Sequence, residues 1–196
     1  GAQAARTRSL TLMRGEVQSY LELATDYMNC GFAADAIRVL REPVDAGTPF
    51  AATYPMVHYY LGYLAGQTGD RAAALQHYEA AARMPSDYCF PFRLESARVL
   101  TAAIAANPAD ARARYYLGNL LFDLQPERAV ECWEESRALD GGFAGVYRNL
   151  GWAAYRAHND VARAIECYER AVACNPADAR LYLELDTLYE LGNTAP

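Results

Sequence analysis

The hexapeptide Asn107-Pro108-Ala109-Asp110-Ala111-Arg112 returns letter for letter at 175–180, a separation of 68 residues, or twice 34. A third junction, Leu139-Asp140-Gly141-Gly142, falls between the two copies and divides the interval into units of similar length. Self-similarity at a fixed short period marks a chain of stacked units, none of which can bury its apolar face alone.

Each unit reads as a helix pair. Apolar and small residues recur at i, i+3, i+4 and i+7, the stripe of a helix buried along one side. Tyr20, Leu23, Ala24 and Tyr27 show it first, then His58, Leu61, Gly62 and Ala65. Arg114, Leu117, Gly118 and Leu121 follow, then Tyr147, Leu150, Gly151 and Ala154, and finally Tyr182, Leu185, Asp186 and Tyr189. Five first helices are expected. The second helices carry a small residue, an apolar one four later and a small one three later: Ala74, Tyr78, Ala81; Ala129, Trp133, Ser136; Ala164, Tyr168, Ala171. Ala36 and Leu40 begin the same pattern and Pro43 breaks it. Small residues at these sites let antiparallel helices approach closely while the aromatic fills the space beside them.

Helix ends are marked as well. Gly31 and Gly69 suit the left-handed stop after a first helix, and Asp70 and Asp160 suit the cap of the next one. Pro126 and Pro108 suit a first helical turn.

These residues resemble the tetratricopeptide repeat, a family of 34-residue helix–turn–helix units whose pattern runs aromatic, Leu-Gly, aromatic, Ala, aromatic, Ala, Pro. The resemblance covers most of 17–192 and is closest at 55–84, where Leu61, Gly62, Gly69, Ala74, Tyr78 and Ala81 stand in register. It implies an all-α fold: a right-handed superhelical solenoid of antiparallel helix pairs, irregular at its centre. The repeats fall at about 17–44, 55–84, 111–141 and 144–176, with a C-terminal capping helix at 179–192 and an N-terminal extension or linker at 1–15. The unit from Ala111 is one residue short, and that from Ala144 one residue long, in what is expected to be the inter-helix turn.

Two intervals between the leucine landmarks Leu23, Leu61, Leu117, Leu150 and Leu185 are too long, at 38 and 56 residues against 33 and 35. In the first, Pro43, Gly47, Pro49 and Pro55 are expected to end the second helix early and force an extended connection. The second holds an irregular insert and solitary helix at 85–106, in which a helix at 93–106 stands as half a repeat. Pro85-Ser86-Asp87-Tyr88-Cys89-Phe90-Pro91-Phe92 takes the place of its partner. Its three aromatics either plug the gap left by the missing helix, or form an insertion that lines the concave groove or contacts a neighbouring domain.

Phe92-Arg93-Leu94-Glu95 with Asn107-Pro108, then Tyr116-Leu117-Gly118-Asn119-Leu120-Leu121, also resembles the C-terminal repeats of large bacterial proteins that begin with a mutarotase-like β-sandwich. That resemblance implies a helper module docked on a carbohydrate-active domain of the same polypeptide. The opening Gly1 fits an excised fragment.

Composition narrows function further. The chain has 196 residues, 53% hydrophobic and 12% aromatic, enough for a packed core. Its net charge of −6 disfavours nucleic acid. All 18 basic residues are Arg, so no lysine is present for Schiff-base chemistry or a phosphate loop. Five cysteines without a CxxC pair disfavour zinc and a disulfide framework, and point to packed thiols in a cytoplasmic setting. No apolar run reaches membrane-spanning length. The nucleotide, zinc-protease and serine-hydrolase motifs are not found, so neither catalytic residues nor a cofactor or metal is expected. His58 reads as a packed boundary residue, His77 and His158 as solvent-exposed, and Glu131, Glu134 and Glu135 as a solvated face. Cys132 and Cys167 share a repeat position and read as packing residues.

The family resemblance implies that first helices line a concave groove for a peptide or protein partner. Projected onto this chain, the groove positions are Tyr59, Tyr63, Arg112, Tyr115, Asn119, Phe122, Arg148, Asn149, Trp152, Arg156 and Arg180. Aromatics with Arg and Asn suit binding. One subgroup of the family grips terminal carboxylates; Asn119 and Asn149 occupy its two Asn positions, while Tyr115 stands where its first Lys belongs and Arg148 or Arg156 would have to compensate. The expected function is a non-catalytic protein-interaction module. The alternative is the docking domain, for which self-association of the isolated chain is the expected sign.

Overall fold

The computed structural model describes residues 7–8, 11–14, 16–47 and 53–194, and among them it is all-helical, without a strand. The helices are α1 (Val17–Asn29), α2 (Ala33–Asp45), α3 (Pro55–Gln67), α4 (Arg71–Ala82) and α5 (Glu95–Ala106), followed by α6 (Ala111–Leu121), α7 (Pro126–Leu139), α8 (Ala144–His158), α9 (Val161–Cys174) and α10 (Ala179–Thr194). Two compact units result, Gly1–Ala113 and Arg114–Pro196. Most of the N-terminal extension and Pro49 lie outside the described residues.

In the first unit, α1–α2 and α3–α4 are helix hairpins and α5 packs on α3 and α4. The turns follow their residues. Gly31 and Gly69 adopt φ of +82° and +88°, which only glycine enters without strain. The next backbone N–H then reaches back five residues, from Phe32 to the Tyr27 carbonyl and from Asp70 to that of Ala65, at 2.9 Å in both. Asp70 closes the start of α4 by accepting from the Ala73 N–H at 2.9 Å.

Contact between the paired helices depends on absent side-chain atoms. A Cβ added to Gly62 would stand 2.6 Å from the Tyr78 ring. In the second unit one on Gly151 would stand 2.6 Å from the Tyr168 ring, and one on Gly118 closer still to the Trp133 indole nitrogen. Tyr78, Trp133 and Tyr168 are thus buried close against glycine backbone, and the small residues of the second helices are buried beside them. Around Trp133 the core gathers Phe143, Val146, Leu150, Ala153 and Cys167.

The three junctions share one geometry. Asn107, Asp140 and Asn175 have φ, ψ near −130°, 85°, −136°, 87° and −139°, 79°, and each donates its N–H four residues back, at 2.8 to 2.9 Å. Asp140 therefore does in one junction what asparagine does in the other two.

Four expectations need correction. Pro43 lies inside α2, which continues to Asp45: near a helix end its missing N–H removes a single bond, and its ring is buried. Pro108 sits in the turn before α6, where Asp110 caps the helix by accepting from Ala113 N–H at 2.8 Å. The length differences fall in helices, since α6 has 11 residues, α3 has 13 and α8 has 15. Pro126 disfavours helical backbone at Gln125 (φ −143°, ψ 64°), so α6 does not run on into α7, whereas Asn159 with φ of +52° permits a sharp stop after α8. Lastly, His77 is half-buried, with its Nδ1 3.2 Å from that of His58 and the rings 5.4 Å apart. The insert is mixed: Cys89 is buried, but Tyr88, Phe90 and Phe92 are exposed at 76%, 63% and 59%, so their rings do not simply fill a gap.

Gly151→Ala is expected to lower the unfolding free energy by about 1–3 kcal/mol through overpacking against Tyr168, measured by urea denaturation. Gly66→Ala, whose Cβ would meet only ordinary contact at 3.9 Å, should be neutral or stabilising. A second expectation concerns pH. Burial, with His58 and Arg41 nearby, holds His77 below its ordinary value. The unfolded chain therefore takes up that proton first on acidification, so stability is full above about pH 6.5 and falls as pH drops through the folded value. His77→Gln should flatten the melting temperature between pH 7 and about pH 5.5; an unchanged slope would show that other groups govern it.

Candidate functional site

The first helices of the second unit bring most of the expected binding residues to one region. On α6 and at the first residue of the turn after it, Tyr115, Asn119 and Phe122 fall at i, i+4 and i+7. Tyr115 packs edge-on to Phe143 at 4.7 Å, and the Phe122 ring lies 5.2 Å from Trp133. The Trp133 indole N–H donates both to the Tyr115 carbonyl (3.2 Å) and to Asn119 Oδ1 (3.1 Å). Asn149 on α8 donates from Nδ2 to the same Asn119 oxygen at 2.6 Å. The two asparagines thus form a polar rung between α6 and α8, anchored on the core tryptophan.

Next to Asn149 on α8, Arg148 donates to Glu184 of α10 through Nε at 2.7 Å and Nη2 at 2.6 Å. This two-pronged bond raises the Arg148 pKa further. Arg148 is therefore held within the protein as the bridge from α8 to α10. Trp152 follows on α8 and remains 44% exposed, with the Arg156 guanidinium 5.7 Å from its ring centre.

Beside Trp152 opens a cavity of about 140 Å³ lined by Tyr155, Tyr168, Thr187, Leu188, Leu191 and Glu184. Apart from Thr187 and Glu184 its walls are apolar or aromatic. Burial, then the Glu184 carboxylate, pushes the Tyr168 hydroxyl upward, so it stays protonated.

The remaining expected residues are placed differently. Tyr59 is fully buried, and its hydroxyl donates to the Asp110 carboxylate at 3.0 Å. It belongs to the core, because Asp110 of the repeated hexapeptide is itself buried and needs that donor. In the second copy Asp178 bonds instead to Arg180, whose Nη2 lies at 2.8 Å, so Arg180 is an exposed ion-pair partner. Tyr63 is half-buried with Arg98 over its ring at 5.9 Å, and Arg112 is half-buried in the first unit. The sequence reading overlooked Glu184, Tyr155, Thr187, Leu188 and Leu191. The available signals were the carboxylate 36 residues after Arg148 and the apolar positions that continue the α10 stripe beyond Leu185.

Cys132 and Cys167 have thiols pushed up by burial, which disfavours the nucleophilic thiolate. Among the described residues no three of His, Cys, Asp and Glu are placed to hold a metal ion. No helix among them is long and apolar enough to cross a membrane.

A sequence profile described as tetratricopeptide repeat matches residues 21–88, 93–125 and 123–179, leaving out 89–92 within the insert. No curated protein matches the chain. Solved structures similar to it include MamA from Desulfovibrio magneticus, with 22% identity over 83% of this chain and 97% of that one and a TM-score of 0.39. PilF of Pseudomonas aeruginosa has 18% identity over 96% of this chain and 71% of that one, with a TM-score of 0.46. YrrB, described as a tetratricopeptide protein with an unusual peptide-binding site, has 18% identity over 93% and 98%, with a TM-score of 0.42.

A double-mutant cycle of Arg148→Met and Glu184→Gln is expected to give a coupling of about 1 kcal/mol in urea unfolding. Coupling near zero would mean that the pair does not tie α8 to α10 in solution.

Proposed function

The chain belongs to the tetratricopeptide repeat family, and from that premise we propose that it is a non-catalytic module binding a peptide or protein partner along the first helices α6, α8 and α10. The observation that carries this reading is Trp152, a large ring left 44% exposed at the mouth of an apolar cavity. Such a ring contributes most when a partner side chain covers it and fills the adjoining space. Asn119 Nδ2 and Asn149 Oδ1 make no further hydrogen bond among the described residues. They offer a donor and an acceptor to an extended backbone. Arg156 adds a fork for a partner carboxylate or carbonyl. Arg148 serves this site as a brace, since Glu184 already holds it.

A peptide library displayed on phage and selected on the intact chain tests the reading. Enriched sequences should share an apolar anchor residue and lose at least about tenfold in affinity on Trp152→Ala, as hot-spot truncation does, while circular dichroism stays unchanged. Selection that yields no consensus, or peptides indifferent to Trp152→Ala, would overturn it.

The exposure of Tyr88, Phe90, Phe92 and Leu94 on one short insert favours a second reading, docking onto another domain of the same polypeptide. On that reading the isolated chain self-associates in sedimentation analysis and Phe90→Ser with Phe92→Ser abolishes the association. A wild-type chain that remains monomeric argues against it.

A further inference from the structure

A second cavity, of about 150 Å³, lies among α7, α8 and α9, apart from the Trp152 face. Arginine dominates its lining: Arg137 comes from α7, and Arg163 and Arg170 come from α9. Opposing them are Glu134 and Glu166, so the cavity carries three positive charges against two negative ones in a chain whose net charge is −6. The positions follow from helical spacing. Glu134 and Arg137 lie at i and i+3 on α7, and Arg163, Glu166 and Arg170 at i, i+3 and i+7 on α9, so each helix turns its charges to one side.

The charges are unevenly matched. Glu134 is shared: Arg137 donates to its Oε2 at 2.6 Å, and Arg163 Nη2 stands 3.7 Å from its Oε1. Arg170 lies 5.8 Å from the centre of the Tyr147 ring and makes no ion pair among the described residues. One carboxylate therefore serves two guanidiniums, and the third, one turn along α9 from Glu166 and beside the Tyr147 side chain, is in no ion pair among the described residues. Guanidinium forks match the oxygens of a phosphoryl group, which has three to offer and more charge than a carboxylate. Tyr147 and Leu150 supply an apolar wall beside them.

We propose that this cavity binds a phosphate monoester, with Arg137, Arg163 and Arg170 on the phosphoryl oxygens and Glu134 as the internal anion that it displaces. The group carrying the phosphate lies along Tyr147. Glu166, exposed at the rim, opposes the anion and limits affinity. Inorganic phosphate shares the recognised chemistry but lacks the esterified group, so the two ligands are separable by affinity.

The test follows the arginine Nε–Hε resonances of the whole chain by nuclear magnetic resonance while inorganic phosphate, O-phosphoserine or chloride of matched ionic strength is added. Expected are saturable shifts at Arg137, Arg163 and Arg170 with both phosphates, tighter for phosphoserine, and none with chloride. Arg170→Gln should weaken binding about tenfold, and Glu134→Gln should strengthen it by a similar factor, because the competing carboxylate is gone. Should Glu134→Gln fail to fold, Glu166→Gln, at an exposed position, should tighten binding in the same direction. Shifts that chloride reproduces, or an affinity indifferent to Arg170→Gln and to loss of either carboxylate, would overturn the proposal. Phosphate binding without preference for phosphoserine would overturn the monoester assignment.

Discussion

The close approach of an aromatic ring to a glycine backbone is the contact on which the rest of this architecture depends. Tyr78 on Gly62, Trp133 on Gly118 and Tyr168 on Gly151 each set the separation of a helix pair. With that separation set, alanine or serine suffices at the adjoining positions, and the first helices stand at a distance where α6 and α8 share a hydrogen bond through their asparagines. A side chain on any of these glycines would push ring and helix apart and carry the neighbouring contacts with them.

Trp133 links this packing constraint to the candidate site. Its ring fills the space beside Gly118, while its N–H fixes the Asn119 carbonyl and thereby the orientation of Asn149. Core packing and the polar surface of α6 and α8 are thus joined through one indole. Arg148 plays the corresponding part toward α10 by holding Glu184, and that leaves Trp152 and Arg156 as the outward groups of α8.

The two faces of the second unit differ in chemistry. First helices present aromatic rings and amides beside an apolar cavity, whereas α7 and α9 present guanidiniums around a polar one. Both arise from the same repeat: on α7 and α9 the small residues of the pattern, Ala129, Ser136, Ala164 and Ala171, face inward, and what remains outward is free to vary.

What the sequence by itself determined is the part written within one helix pair and its repetition: the repeat, its glycine–aromatic pairs, the left-handed stops at Gly31 and Gly69, and the caps at Asp70 and Asp160. Such features depend on neighbours three to eighteen residues away, so their pattern is visible in the chain itself. Partnerships between repeats were decided by tertiary structure alone. Two identical hexapeptides acquired different surroundings, with Asp110 buried on Tyr59 and Asp178 half-buried on Arg180, because different helices precede them. Arg148 met a carboxylate 36 residues away in the next repeat and became a brace, and within a single repeat the packing of α4 on α3 brought His77 to His58 and left it half-buried. Helical periodicity assigns a residue to a face; which side chain stands opposite depends on how the next repeat is stacked.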